Sequence, residues 1–136
     1  MLMLPLASTN YVAVVGAGIV GVVIGMIWYS PMLFGKQWMK ATGKTEKDMK
    51  GNTSAYLVAL IASLLSALVM AQWVGLLSAK TIMDGAVAGF WPWLGFMMPV
   101  AAVMASFSGK KEMFWVDAGH HLVVLLIMGA ILAVWV

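Results

Sequence analysis

The sequence predicts an all-α integral membrane protein, a four-helix bundle with a short amphipathic interfacial helix between the first and second spans. The first observation is composition: 63% of the 136 residues are hydrophobic and only 10% are charged, whereas a soluble domain carries about 25% charged residues. The second is that four apolar segments each reach the roughly 20 residues that a helix needs to cross a bilayer. We expect residues 1–136 to form a single transmembrane domain, and the composition excludes an ordinary water-soluble enzyme.

The four predicted spans are helical rather than β-barrel strands, because none alternates polar and apolar residues. They cover approximately residues 11–29, 55–78, 85–107 and 114–136. The first ten residues contain no Lys or Arg and are not followed by an evident signal-peptidase cleavage site. We therefore expect the first apolar helix to be retained.

The lysines predict the orientation of the spans. All eight basic residues are lysines, and seven of them lie in the loops 30–54 and 108–113. The positive-inside rule places these two loops in the cytoplasm and both termini outside, with the plasma (inner) membrane as the location. The net charge of +3 is therefore interpreted as a topology signal, with the lipid bilayer as the partner and no nucleic acid.

The loop after the first span predicts a helix of its own. Ser30 and Pro31 are a typical N-cap and first residue, and Gly43 is a typical C-terminal cap. Lysines lie on one helical face and aromatic residues on another, as in a helix on a membrane surface. The residues assigned to this interfacial segment are Trp28, Tyr29, Pro31, Lys36, Trp38 and Lys40. Such a helix anchors the protein, or it docks anionic lipid or a partner.

Small residues recur every four positions in the first two spans. In lipid, such stripes let helix backbones approach closely. The candidate packing residues are Gly21, Gly25, Ala59, Ser63, Ala67 and Ala71. Because four helices cover only part of these faces, we expect a homo-oligomer; the alternative is a monomeric bundle with every stripe turned inward.

The third span contains Trp91, Pro92, Trp93 and Pro99. Each proline removes a backbone donor and frees the carbonyl four residues earlier, and a free carbonyl at membrane depth must face protein or water. The span is therefore either a kinked helix lining a pathway or a packing kink. We also expect Asp84 to cap the start of this span and Gln72 to bond across helices.

One group of ionisable residues lies inside a predicted span. Asp117, His120 and His121 fall on one helical face. The fifteen residues after His121 cover roughly 22 Å, less than the ~30 Å apolar core, so the histidines lie within the cytoplasmic third of the membrane. Three hypotheses remain open: an ion or proton relay, a metal site completed by another helix or chain, and a polar contact between helices.

No sequence motif indicates catalysis. Cysteine is absent, and the chain has no nucleophile elbow, phosphate loop or zincin motif. Gly16 to Gly21 match a dinucleotide-binding pattern, but inside a hydrophobic span with no preceding strand. We expect no cofactor, and the sequence disfavours an enzyme.

The run Trp28 to Lys40 (WYSPMLFGKQWMK) closely resembles the signature of a small membrane family, the domain-of-unknown-function 1761 family. The segment Gly43 to Lys50 and the tripeptide Asp117-Ala118-Gly119 also resemble that family. The family pattern often has an aromatic residue after this glycine, where the present chain has His120 and His121. The resemblance covers nearly the whole chain and implies a four-span membrane protein, without an assigned activity.

Two functional hypotheses follow. The first is a small oligomeric channel or transporter whose pathway lies beside the third span and the Asp117 face. The second is a non-catalytic accessory or scaffold subunit of a larger membrane complex.

Overall fold

The computed structural model describes residues 6–135, and every regular element in this part of the chain is helical. The all-α fold is therefore confirmed. Val136, the last residue of the fourth predicted span, lies outside the described residues, as do residues 1–5. The α-helices are α1 Tyr11–Trp28, α2 Gly35–Thr42, α3 Glu46–Lys50, α4 Thr53–Leu76, α5 Ile82–Pro92, α6 Met98–Ser108 and α7 Lys111–Val134.

Four of these segments are long and apolar enough to cross a membrane. They are α1, α4, the continuous segment Ile82–Ser108 and α7, with 18, 24, 27 and 24 residues. The chain is accordingly a multi-pass membrane protein. We call the end of the bundle that carries α2, α3 and the turn between α6 and α7 the lysine-rich end.

Helix α7 is the centre of the bundle, since it contacts α1, α4, α5 and α6. Its closest neighbour is α5, where Gly85 lies against the backbone of Gly129 and Gly89 against the backbone of Leu125. Only residues without a Cβ permit this approach, because a methyl group at either α5 glycine would overlap backbone atoms of α7. Close approach of backbones is the main source of helix attachment in lipid.

Helix α1 packs against α4 through small residues near the middle of both helices. The Ser63 hydroxyl donates a hydrogen bond of 2.7 Å to the Gly18 carbonyl, and Gly21 lies against Ser63 and Met128. Ala67 in the same α4 stripe is fully buried. Part of the predicted stripes is therefore covered by other helices of the same chain.

The first half of α4 is largely exposed. Every residue from 53 to 62 is exposed, on all faces of the helix, so Ala55 and Ala59 of the predicted stripe are uncovered. Ala71 is half-buried and Gly75 is exposed at the other end. We call residues 53–62 the open half of α4.

The interfacial helix begins later than the sequence predicts. Ser30 does not cap it; the Ser30 hydroxyl instead donates to the Ile27 carbonyl of α1, and the chain reverses through turns before α2 starts at Gly35. Trp28, Tyr29 and Pro31 therefore lie outside α2, while Lys36, Trp38 and Lys40 lie within it. The hydroxyl is used to satisfy the end of α1, and this local competition explains the error.

The end of α2 and the start of α3 have the expected chemistry. Gly43 adopts the left-handed conformation, with φ of 73°, which a residue without Cβ adopts at little cost. Thr45 and Asp48 form a capping box at the start of α3.

The third span is interrupted by a π-helical turn, Trp93–Met97, between α5 and α6.

The start of the third span also differs from the prediction, because the N-cap is Thr81, whose hydroxyl accepts from the Asp84 backbone N–H. Asp84 lies in the first turn instead, where its negative charge faces the positive end of the helix dipole.

Candidate functional site

The candidate site is a group of four polar side chains between α1 and α7, which we call the polar cluster: Tyr29, Asp117, His120 and His121. Tyr29 follows the last residue of α1, and the other three belong to α7. The two helices run in opposite directions, because Gly16 lies beside Trp135 while Gly25 lies beside His120. This pairing brings the end of α1 to the part of α7 near the lysine-rich end.

Tyr29 and Asp117 are joined by a short hydrogen bond. The Tyr29 hydroxyl donates to Oδ1 of Asp117 over 2.5 Å, and both residues are half-buried. The phenol is the donor in this bond, so Asp117 has a hydrogen-bond partner inside the membrane.

His120 is packed among aromatic rings but has no hydrogen bond. Its ring centroid lies 5.1 Å from that of Tyr29, 6.3 Å from that of Trp28 and 4.9 Å from that of His121. Within residues 6–135, neither Nδ1 nor Nε2 has a partner, although both atoms are buried. A buried polar atom without a partner costs about 1–3 kcal/mol. The imidazole thus retains donor and acceptor capacity that the surrounding side chains do not use.

By helical periodicity, His121 lies on the face of α7 that turns toward the junction of α1 and α4. It precedes Met128 by seven residues, or about two helical turns, so both side chains lie on the same face of α7. Met128 is buried, in contact with α1 at Gly21, and both belong to the region where Ser63 of α4 meets α1. His121 is half-buried and lies on this face closer to the lysine-rich end.

Two tryptophans flank Asp117 by binding the α7 backbone. Trp28 Nε1 donates to the Val116 carbonyl over 2.9 Å, and Trp93 Nε1 donates to the Ala118 carbonyl over 2.8 Å. Sequence reasoning missed this role, since it assigns Trp28 to the interface and Trp93 to a kink. The chemistry of the side chain could have indicated this role, because a buried indole N–H requires a hydrogen-bond acceptor.

The structure gives Asp117 a phenol as its partner rather than a histidine. Across the described residues, the salt bridge that forms is between Lys50 and Glu46. No three His, Cys, Asp or Glu side chains within residues 6–135 come together as a metal-binding group.

The prolines of the third span leave a carbonyl that another helix satisfies. The Ala88 carbonyl, freed by Pro92, accepts a hydrogen bond of 2.8 Å from Trp73 Nε1 of α4. Trp91 and Pro99 are exposed, while Pro92 and Trp93 are half-buried. This hydrogen bond joins α4 to α5 at the carbonyl that Pro92 leaves without its usual donor.

Gln72 bonds to the segment that precedes α1. Its Nε2 donates to the Thr9 hydroxyl over 2.7 Å, and the residue is only 3% exposed. This contact fixes the start of α1 against α4 at the end of the bundle opposite the polar cluster.

Comparison with known proteins gives a family. No curated protein and no solved structure matches the chain. A family model described as "Protein of unknown function (DUF1761)" matches residues 12–133, which include nearly all of the four spans and the whole polar cluster. The chain therefore belongs to the DUF1761 family.

Proposed function

We propose that the protein is a small channel or transporter that moves protons or small cations through the polar cluster. The observation that carries this proposal is His120, whose two ring nitrogens are buried without a partner among the described residues, next to the Tyr29–Asp117 hydrogen bond. A purely structural histidine would use at least one nitrogen in a hydrogen bond. A histidine that exchanges protons needs nitrogens that are free to do so.

The chemistry of the cluster suits this role. Histidine changes its charge near neutral pH, and a carboxylate beside it stabilises the positive charge of a proton in transit. Ionisable residues inside membrane helices commonly belong to ion or proton pathways, because they are too costly to keep without a use. Asp117, His120 and His121 are the residues assigned to this pathway, with Tyr29 positioning the Asp117 carboxylate.

The first experiment measures proton flux in liposomes that contain the purified protein. We expect flux above that of empty liposomes, and we expect His120→Phe and Asp117→Asn each to lower it by about tenfold or more, since a relay lacking one titratable group transfers protons poorly. Trp115→Phe is the matched control, because this α7 ring is 77% exposed. Absence of flux from the unaltered protein contradicts the proposal, as does equal flux in all three variants.

The second candidate function is a non-catalytic accessory subunit. The observation that favours it is the open half of α4, where the small residues Ala55 and Ala59 are uncovered and could accept a helix of another copy or of a larger membrane complex. A homo-oligomer would use the same face. Absence of flux together with co-purification of one larger membrane protein in constant ratio would support this function.

A further inference from the structure

We propose that the space between the open half of α4 and the α1–α7 pair is a water-filled entry, through which the polar cluster exchanges protons with the cytoplasm. This inference rests on the proposed function and adds the route and the side of access. It also uses the orientation predicted from the lysines, in which the lysine-rich end is cytoplasmic.

The first support is the divergence of α4 from α1. The two helices are in contact from Gln72, which binds Thr9, down to Ser63, which binds Gly18. Beyond Ser63, toward the lysine-rich end, every α4 residue is exposed for ten positions. At 1.5 Å per residue, this exposed stretch covers about 15 Å of the α4 axis, and Leu60 is the least exposed of its large apolar side chains, at 36%.

The second support is that the polar cluster lies at the depth of this gap. Gly21 contacts both Ser63 on α4 and Val124 on α7, so these positions share one level of the bundle. His121 lies three residues from Val124, about 5 Å nearer the lysine-rich end. His121 also shares a helix face with Met128, which points into the α1–α4 junction. It therefore faces the gap where the gap begins.

The third support is that the other end of the bundle is closed. Gly85 and Gly129 bring the backbones of α5 and α7 into contact, and Trp135 covers Gly16. Gly18 lies against Leu64. Among the described residues, these contacts close the gap at the end opposite the lysine-rich end, so with the predicted orientation the gap faces the cytoplasm.

The wall of the gap that α7 forms is better suited to contact with water than to contact with lipid. An acyl chain against His121 would leave its ring nitrogens without a partner on that side at membrane depth, which is costly. Water supplies these partners and also the protons that the proposed function requires.

The test is accessibility of introduced cysteines, for which the chain is well suited because it contains no cysteine. Ala59→Cys lies one turn before Ser63, on the face that turns toward α1. Ile61→Cys is the matched control: it lies two residues away, at about 3 Å difference in depth, but on the opposite face of the helix. Both positions are exposed.

A charged thiol reagent that does not cross membranes is applied separately to inside-out and right-side-out vesicles. From the cytoplasmic side, we expect Ala59→Cys to react on the order of tenfold faster or more than Ile61→Cys, because thiols ionise and react in water and not in lipid. Tyr56→Cys, on the same face as Ser63, repeats the test where Ala59→Cys fails to insert.

Three labelling outcomes would overturn the inference. They are no labelling at either gap position, labelling of Ile61→Cys at the same rate, and faster labelling from the outside. Formation of a disulfide between two copies of the Ala59→Cys variant also overturns it, since the gap is then filled by a second copy. Faster labelling at Ala59→Cys with no proton flux would keep the wet entry and reject the proposed function, so the two failures are distinguishable.

Discussion

Gly89→Ala should separate α5 from α7 and destabilise the bundle. A Cβ at Gly89 would lie 2.6 Å from the Leu125 carbonyl carbon and closer still to its oxygen. Non-bonded carbon atoms pack at about 3.5–4.0 Å, so the helices must move apart by about 1 Å. Both contacting groups are backbone, and neither can rotate away as a side chain would.

The expected cost follows from overpacking, which typically costs about 1–3 kcal/mol for an added methyl group. Gly75→Ala is the matched control, because nothing lies within 4 Å of a Cβ at that α4 position and alanine favours helix by up to about 1 kcal/mol in water. We expect Gly89→Ala to lower the free energy of unfolding and Gly75→Ala to leave it unchanged or raise it.

The assay is reversible unfolding of both variants in the same detergent, followed by circular dichroism. Equal stability of Gly89→Ala and Gly75→Ala would refute the argument that backbone contact between α5 and α7 holds the bundle together. A Gly85→Ala variant, which changes the α5 glycine that faces Gly129, should repeat the loss.

Three further predictions concern single contacts. Trp73→Phe should lower the free energy of unfolding by about 1–3 kcal/mol, because it leaves the Ala88 carbonyl unpaired. In a double-mutant cycle, Trp73→Phe should cost less in the Pro92→Ala background, because residue 92 then supplies the missing N–H. An equal loss of stability in both backgrounds would contradict this. Tyr29→Phe removes the donor to Asp117 and should lower the free energy of unfolding by about 1–3 kcal/mol, because the carboxylate loses its partner. Unchanged stability would oppose the assignment. Gly35→Ala should disturb the turn before α2, because the Cβ of the new alanine would meet the backbone of Tyr29 and Ser30. The fluorescence of Trp38 in α2 should then change, and an unchanged signal would argue against this close approach.

Composition and periodicity predicted the fold because the bilayer constrains both strongly. The number of spans follows from segment length, since a span needs roughly 20 apolar residues. Cap chemistry at Gly43 and at the Thr45–Asp48 pair depends on a few neighbouring residues, so the sequence is sufficient there as well.

The start of α2 and the cap of α5 were harder to predict, because two helix ends compete for the Ser30 hydroxyl and two residues, Thr81 and Asp84, compete to cap α5. Ser30 satisfies the end of α1 instead of starting α2, and Thr81 rather than Asp84 caps α5. Sequence spacing does not decide between such neighbours, because the outcome depends on which backbone groups the tertiary structure leaves unpaired.

The polar cluster could be located from the sequence but not assembled. Asp117, His120 and His121 were identified as ionisable residues at membrane depth, whereas Tyr29 was assigned only to the interfacial segment. Its bond to Asp117 joins residues 88 positions apart, and this pairing depends on the antiparallel packing of α1 and α7. The divergence of α4 was likewise hidden, since its stripe of small residues continues unchanged through the open half.

The most direct measurement is nitrogen NMR of the protein in lipid bilayers with ¹⁵N-labelled histidine. The chain has only two histidines, and a His121→Gln variant assigns the signals. A wet, proton-exchanging cluster predicts rapid magnetisation transfer from water to the ring nitrogens of His120 and His121. Ring nitrogens that receive no magnetisation from water would contradict the proposed proton pathway and leave His120 as a packed, dry side chain.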